Sequence, residues 1–319
     1  MAGHSGVDIS PKTTPGGAAP ASVFAGCLMI IGTALCFSCT DATAKWLGSA
    51  GGVDPMQTLG ARYVGSFLIT LLLLNPRRVR PRFLTKKPGL QILRSLSLVA
   101  STACSYHALR ALALTDMTTI TFASPLIIPL MAIPFLGEKI GPRRVTAILV
   151  GFAGVLLVTR PGFHAMPWQA VLPVVGAILN AFYSIATRKL AASDPPETTM
   201  LYTSLAGSLI SLPFMLSAWR APGSLLTWAL LGAMGLLGAM AHWLLIQAHK
   251  RAPATTLAPF TYIQLLGAVA IAYPVFHEIP DLWTLAGGMV IIASGLYVLY
   301  RERVRGPGRD ERSSLTTPA

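Results

Sequence analysis

Charge is scarce in this chain, and acidic charge scarcest. Asp, Glu, Lys and Arg make up 12% of 319 residues, with 12 acidic against 25 basic side chains. The sequence has no Gly-x-x-x-x-Gly-Lys-Ser/Thr loop, which excludes ATP hydrolysis as an energy source. It has no Gly-x-Ser-x-Gly, no His-Glu-x-x-His and no close carboxylate pair, so no enzymatic activity and no cofactor are expected. Four cysteines are present, Cys27, Cys36, Cys39 and Cys104. Cys36-x-x-Cys39 has the spacing of a redox or metal half-site, but no second pair exists and its neighbours are apolar, so packing roles are expected. His242 and His249 stand two helical turns, about 10 Å, apart, too far to share one ion. With Asp41 and His107 on other stretches, no metal site is expected.

Apolar residues fill the space that charge leaves. They make up 53% of the chain, and the mean hydropathy is +0.60. Ten apolar stretches approach spanning length: 23–47, 56–75, 90–112, 117–136, 143–159, 168–188, 198–219, 225–249, 256–276 and 282–300. A helix needs about 20 mainly apolar residues to cross a bilayer, and inside lipid it satisfies its own backbone. The expected fold is an all-α polytopic membrane protein of ten transmembrane helices. Residues 1–21, rich in Gly, Pro, Ser and Thr, read as a disordered tail without the features of a cleaved signal. The first helix is expected to direct its own insertion.

The net charge of +13 follows the loops. Arg77, Arg78, Arg80, Arg82, Lys86 and Lys87 lie between spans 2 and 3. Lys139, Arg143 and Arg144 follow span 4; Arg188 and Lys189 follow span 6; Lys250 and Arg251 follow span 8. Residues 303–319 form a basic tail, whereas the other side carries only Lys45, Arg110, Arg160 and Arg220. Basic loops stay cytoplasmic, so both termini are expected on the cytoplasmic side of the membrane. The charge is then a topology signal and a contact for lipid headgroups, not a nucleic-acid surface.

An internal repeat runs through the spans. Residues 108–116 align with 248–256, and the same offset of 140 places Pro134 on Pro274 and Glu138 on Glu278. Gly154 aligns with Gly295, and Thr43–Leu47 with Ala186–Leu190 at an offset of 143. Two repeats result, 22–160 and 166–302, each of five spans. Five is odd, so the second copy crosses the membrane in the opposite sense, as in secondary transporters built for alternating access.

Leu136-Gly137-Glu138-Lys139, Gly151–Leu157, Ala258–Tyr262 and Phe276–Asp281 carry a family likeness. With the two five-helix halves, the chain resembles the drug/metabolite transporter superfamily, specifically bacterial proteins with paired EamA domains. The resemblance covers roughly residues 23–302 and implies a carrier of a small metabolite. Asp41–Leu47 and Ala258–Gln264 look most like the branch taking up riboflavin or S-adenosylmethionine. Riboflavin-type uptake is the first expectation, S-adenosylmethionine uptake the alternative, and amino-acid or drug efflux the broader one. A channel or an intramembrane enzyme are the readings from other classes.

Two polar sets are expected at opposite depths. Asp41, Lys45, Arg62, Tyr63, Tyr106, His107 and Arg110 fall in the outer third of spans 1–3. Asn180, Tyr183, Ser184, His242, Trp243, Gln247, Tyr262 and Gln264 fall in the cytoplasmic half of spans 6, 8 and 9. Asp41, Lys45 and Arg62 are a candidate ion pair or gate, and Asp41 a candidate proton-coupling carboxylate. Lys45 and Arg94 are expected to snorkel, and Arg110 and Asp116 to pair at the surface. The aromatics could stack on a flat ring and the amides orient it. Pro125, Pro129 and Pro134 in span 4, and Pro259 and Pro274 in span 9, are the expected hinges. The expected partners are a small-molecule substrate, a proton as coupling ion, and lipid, with the chain a monomer or a homodimer.

Overall fold

The computed structural model describes residues 20–73, 85–137, 141–160, 167–191, 193–252 and 254–305. Among these residues all regular structure is helical, with no strand: twelve α-helices and two short 3-10 segments. They are α1 (Pro20–Ser49), α2 (Pro55–Leu73), α3 (Pro88–Ala108), α4 (Leu114–Thr121), α5 (Ser124–Leu136) and α6 (Pro142–Thr159). Then follow α7 (Val171–Ala191), α8 (Pro196–Ser217), α9 (Leu225–Arg251), α10 (Ala254–Leu257), α11 (Ile263–Phe276) and α12 (Leu282–Arg305). The 3-10 segments are Trp168–Ala170 and Ala258–Tyr262. Glu138, Lys139 and the two termini lie outside the described residues.

Proline opens α1, α2, α3, α6 and α8 and lies in the first turn of α5. At these positions its missing N–H would have had no intrahelical acceptor, and its fixed φ suits the helix. Gly137 closes α5 at φ 70, a left-handed turn that glycine makes without a side-chain clash.

Among the described residues seven helical stretches are long and apolar enough to cross a membrane: Ser22–Ser49, Leu114–Phe135, Trp168–Leu190, Thr198–Ser217, Leu225–Arg251, Pro259–Phe276 and Leu282–Tyr300. α6 is apolar only over Val145–Thr159, and α3 is diluted by Arg94, Ser95, Ser97, Ser101 and Ser105.

Large apolar side chains point outward, among them Leu28, Leu72, Leu149, Leu209, Leu225 and Leu282. The interior is rich in small and hydroxyl side chains, including Thr33, Ser38, Thr40, Ser66, Ser95, Ser101 and Thr118. This distribution suits lipid as solvent, where exposed leucine costs nothing and small residues let helices approach. Some hydroxyls return to the carbonyl one turn back, as Thr40 does to Cys36 at 2.7 Å. Others tie helices together. Ser66 Oγ donates to the Gly235 carbonyl at 3.0 Å, and Ser101 Oγ to that of Gly176 at 2.8 Å.

α1 packs mainly against α9 and α11, and α7 against α3 and α5. α2 lies on α8 and α9, α3 on α8, and α6 on α12. Two crossings are glycine on glycine. A Cβ at Gly235 would stand 2.6 Å from Gly65 Cα, and one at Gly154 would stand 2.9 Å from the Gly287 carbonyl.

Span 4 is broken between α4 and α5 at Phe122 and Ala123, ahead of the prolines expected to break it. Pro125 opens the new helix, while Pro129 and Pro134 lie inside α5 and do not end it. In span 9 the interruption is the 3-10 segment that holds Pro259, and Pro274 lies inside α11. The physical reason is position. A proline in the first turn lacks only an N–H that had no partner, so helix can restart there. The offset of 140 that aligns Pro134 with Pro274 also aligns Phe122 with Tyr262. Those two rings pack with their centres 5.3 Å apart and their planes tilted by 31°.

Candidate functional site

Members of both expected polar sets meet in one mixed cluster between α1, α2, α9 and α11. Gln264 Nε2, on the first turn of α11, donates to Asp41 Oδ2 of α1 at 3.2 Å. Ser38, one turn before Asp41, donates to the Gln264 carbonyl at 2.8 Å. Phe37 of the same turn meets the His242 ring of α9 edge-on, with centroids 5.7 Å apart. The expectation of opposite depths is therefore corrected. Counting from the ends of the apolar stretches set Asp41 and Arg62 apart from Gln264 and His242, because α1 runs about 45 Å over 30 residues and regular α-helix in span 9 resumes only at Ile263.

Arg62 of α2 stands beside Asp41 in this cluster and is only 8% exposed. Its guanidinium lies 5.8 Å from the ring centres of Phe37, Tyr63 and Tyr106. Its Nη1 donates to Tyr106 Oη at 3.0 Å, and Tyr63 Oη shares a 3.0 Å hydrogen bond with Thr102. Such rings favour a cation over their faces. Gly238 of α9 keeps the space beside Arg62 open, since a Cβ there would lie 3.3 Å from Arg62 Cγ.

At the end of the bundle where α1 finishes, Lys45 is buried and does not snorkel. Its Nζ donates to Glu278 Oε1 at 2.5 Å and to the Leu112 carbonyl at 2.7 Å, and sits 5.2 Å from the Phe276 ring centre. Glu278 Oε2 accepts the Leu114 N–H at 3.0 Å. The expected grouping of Lys45 with Asp41 and Arg62 is thus corrected: the long lysine stem reaches the end of α11, not one turn back along α1. Arg160 pairs with Asp281 at this end, and Asp116 accepts Thr284 Oγ1 at 2.7 Å. Asp116 therefore bonds α12 in place of the Arg110 expected from sequence, while Arg110 is exposed.

At the opposite end Arg94 is 3% exposed and also does not snorkel. It donates to Thr187 Oγ1 (2.6 Å), Thr203 Oγ1 (2.8 Å), the Thr199 carbonyl (3.3 Å) and Tyr183 Oη (3.0 Å), and stacks 4.5 Å from the Tyr183 ring centre. So many donors met by protein acceptors make burial cheaper than reaching the headgroups. Next to it, Asp194 accepts Thr85 Oγ1, Gln91 Nε2 at 2.8 Å and the Lys86 N–H at 3.3 Å. Desolvation pushes this carboxyl up, but the hydrogen bonds from Thr85, Gln91 and the Lys86 backbone outweigh it and hold the group below the usual aspartate range.

A lowered folded-state pKa gives stability that is present above the unfolded value and lost as pH falls through the folded one. Asp194→Asn, whose amide would face donors with donors, should lower the melting temperature of the purified protein by a few degrees at neutral pH. The difference from wild type should close as the pH falls below about 3.9. An equal deficit at all pH values would assign the effect to packing.

The remaining expected site residues lie elsewhere. His107 turns back to the Ala103 carbonyl of its own helix at 2.9 Å, and Gln247 Oε1 accepts from Arg251 at 2.8 Å. Trp243 is 44% exposed on the outer face, and Asn180 makes no side-chain hydrogen bond among the described residues. Tyr262 is buried against Phe122 with its hydroxyl unpartnered. Sequence reasoning missed Glu278 and Asp194 as partners. For Glu278 the signal was there, in its repeat alignment with Glu138. Among the described residues no three His, Cys, Asp or Glu side chains converge to hold a metal ion.

Comparison with known proteins fits this architecture. The EamA-like transporter family matches residues 24–160 and 167–301. An S-adenosylmethionine uptake transporter of Rickettsia bellii is 30% identical over 69% of this chain and 75% of its own. A riboflavin transporter of Rhizobium johnstonii is 26% identical over 90% of this chain and 94% of its own. A solved protein crystal structure shares the fold at a TM-score of 0.59, covering 90% of this chain and 98% of the other at 18% identity.

Proposed function

The chain belongs to the EamA-like transporter family, and from there we propose that it is a secondary-active carrier working by alternating access on a small metabolite with a flat heterocycle. The protein is a multi-pass bacterial inner-membrane protein, and its family and relatives are named as transporters. In this reading ten spans form two inverted five-helix repeats with both termini cytoplasmic. The packing supports the inversion: α1 on α9 has its counterpart in α7 on α3, and α1 on α11 in α7 on α5. The repeat-equivalent rings Phe122 and Tyr262 meet at the two helix breaks, where such carriers keep their sites.

One observation carries the reading. A buried cluster of opposite charges and rings lies between two sets of contacts that close opposite ends of the bundle, each joining one repeat to the other. Lys45 with Glu278 closes the periplasmic end; Arg94 and Asp194 with their partners close the cytoplasmic end. Rocking of the repeats releases one set while the other holds. Ionisable groups inside a membrane protein mark the substrate or ion path, and rings supply the apolar walls of a small-molecule site.

Riboflavin and S-adenosylmethionine, the substrates for which the relatives are named, are the two to test. Labelled uptake into cells expressing the chain should be saturable and competed by unlabelled substrate for one of them. Flux that rises linearly without competition would make the protein a channel, and absence of both fluxes would remove this substrate class.

A further inference from the structure

Asp41 and Arg62 carry opposite charges in one cluster, yet among the described residues they form no direct ion pair. Each is held by something else. Asp41 has the single amide hydrogen bond from Gln264, and Arg62 has a single hydrogen bond, to Tyr106. A guanidinium has five N–H donors, so most of those on Arg62 have no protein acceptor, although the residue is nine-tenths buried. A structural pair would close, because separated charges in a bundle interior lose the attraction that offsets their desolvation. This pair is kept apart by contacts on both sides and is walled by Phe37, His242, Tyr63 and Tyr106. Both charges are left able to meet the complementary charges of one ligand.

We propose that Asp41 and Arg62 read the two charges of a zwitterionic substrate, its carboxylate on Arg62 and its cationic centre on Asp41, with a flat ring among the aromatic side chains. The inference rests on the carrier reading and narrows its substrate to an amino-acid-bearing nucleoside. Arg62 offers the fork geometry that a carboxylate matches, and Gln264 fixes the Asp41 carboxylate toward the cation. A neutral isoalloxazine with a sugar-alcohol chain supplies neither charge.

The test uses the full chain in proteoliposomes, with uptake of labelled S-adenosylmethionine and of labelled riboflavin, and competition by decarboxylated S-adenosylmethionine. The decarboxylated analogue should compete about tenfold or more weakly than unlabelled S-adenosylmethionine, since a site built for a hydrogen-bonded group rejects the analogue that lacks it. Arg62→Gln should weaken S-adenosylmethionine strongly and leave the affinity for the decarboxylated analogue nearly unchanged. Equal competition by both compounds in the wild type overturns the proposal without any variant, so a poorly folding Arg62→Gln leaves the decision intact. An equal loss for both ligands in Arg62→Gln overturns it too, since that marks a structural arginine. Uptake of riboflavin alone overturns this inference and leaves the carrier reading standing. Uptake of neither overturns the proposed substrate class and this inference with it.

Discussion

Glu278→Gln is expected to destabilise the protein by about 3 kcal/mol, the low end for breaking a buried ion pair by removing one partner. The low end applies because the Glu278 side chain is 26% exposed, against 8% for Lys45. The substitution keeps shape and removes charge, so the Lys45 ammonium stays buried with the Leu112 carbonyl as its remaining strong acceptor. Thermal melts of detergent-purified protein read the loss directly. The double variant Lys45→Met, Glu278→Leu should recover most of it, because an apolar pair of similar volume removes both desolvation penalties. Transport should not recover with it. If Lys45 and Glu278 form a latch that must open and close, a permanent apolar contact holds the periplasmic end differently and slows turnover. A single variant that melts like wild type would reduce the pair to a surface contact.

Gly235→Ala should be the second severe change. The new Cβ would stand 2.6 Å from Gly65 Cα and 2.9 Å from Gly65 C, which is backbone and cannot rotate away. α2 and α9 would have to separate, at the roughly 1–3 kcal/mol typical of overpacking. The Ser66 to Gly235 hydrogen bond would stretch as they did. Arg62, one turn from Gly65 on α2, would move with the helix, so uptake should fall along with stability. Gly232, three residues earlier on α9, is the control. A Cβ there meets nothing within 4 Å, and alanine should stabilise by up to about 1 kcal/mol through helix propensity. Melting temperatures of the two alanine variants should therefore move in opposite directions. Equal shifts would mean the glycine crossing is not tight.

What the sequence made legible follows from what each signal measures. Apolar run length and the Lys/Arg bias report the solvent around each segment, and from them the helical membrane class and the repeat could be read. Asp41, Arg62, Tyr106, His242 and Gln264 were identifiable because polar atoms stand out in apolar runs. Their convergence was not. Depth counted along a single helix assumes straight, unbroken spans of equal length, and Phe122–Ala123 and Ala258–Tyr262 break that assumption. Lys45 and Arg94 were misread for a related reason. Snorkelling is the default for a lone cation, and their partners Glu278, Thr199 and Thr203 lie more than a hundred residues away, beyond any local pattern. Cys39 shows the same limit, being exposed where a packing role was expected.

The pairing of Lys45 with Glu278 also sets a clock on biogenesis. The two residues are 233 positions apart, so at about 5–20 residues per second the ribosome needs roughly 10–50 s to deliver the partner. For that interval α1 sits in the bilayer with its ammonium lacking a counter-charge, and the Leu112 carbonyl is the only one of its two acceptors yet made. Asp41 waits almost as long for Gln264, 223 positions downstream. The first repeat alone therefore cannot reach its final packing, and a nascent chain released before the end of α11 would leave two charges in lipid for quality-control proteases to find.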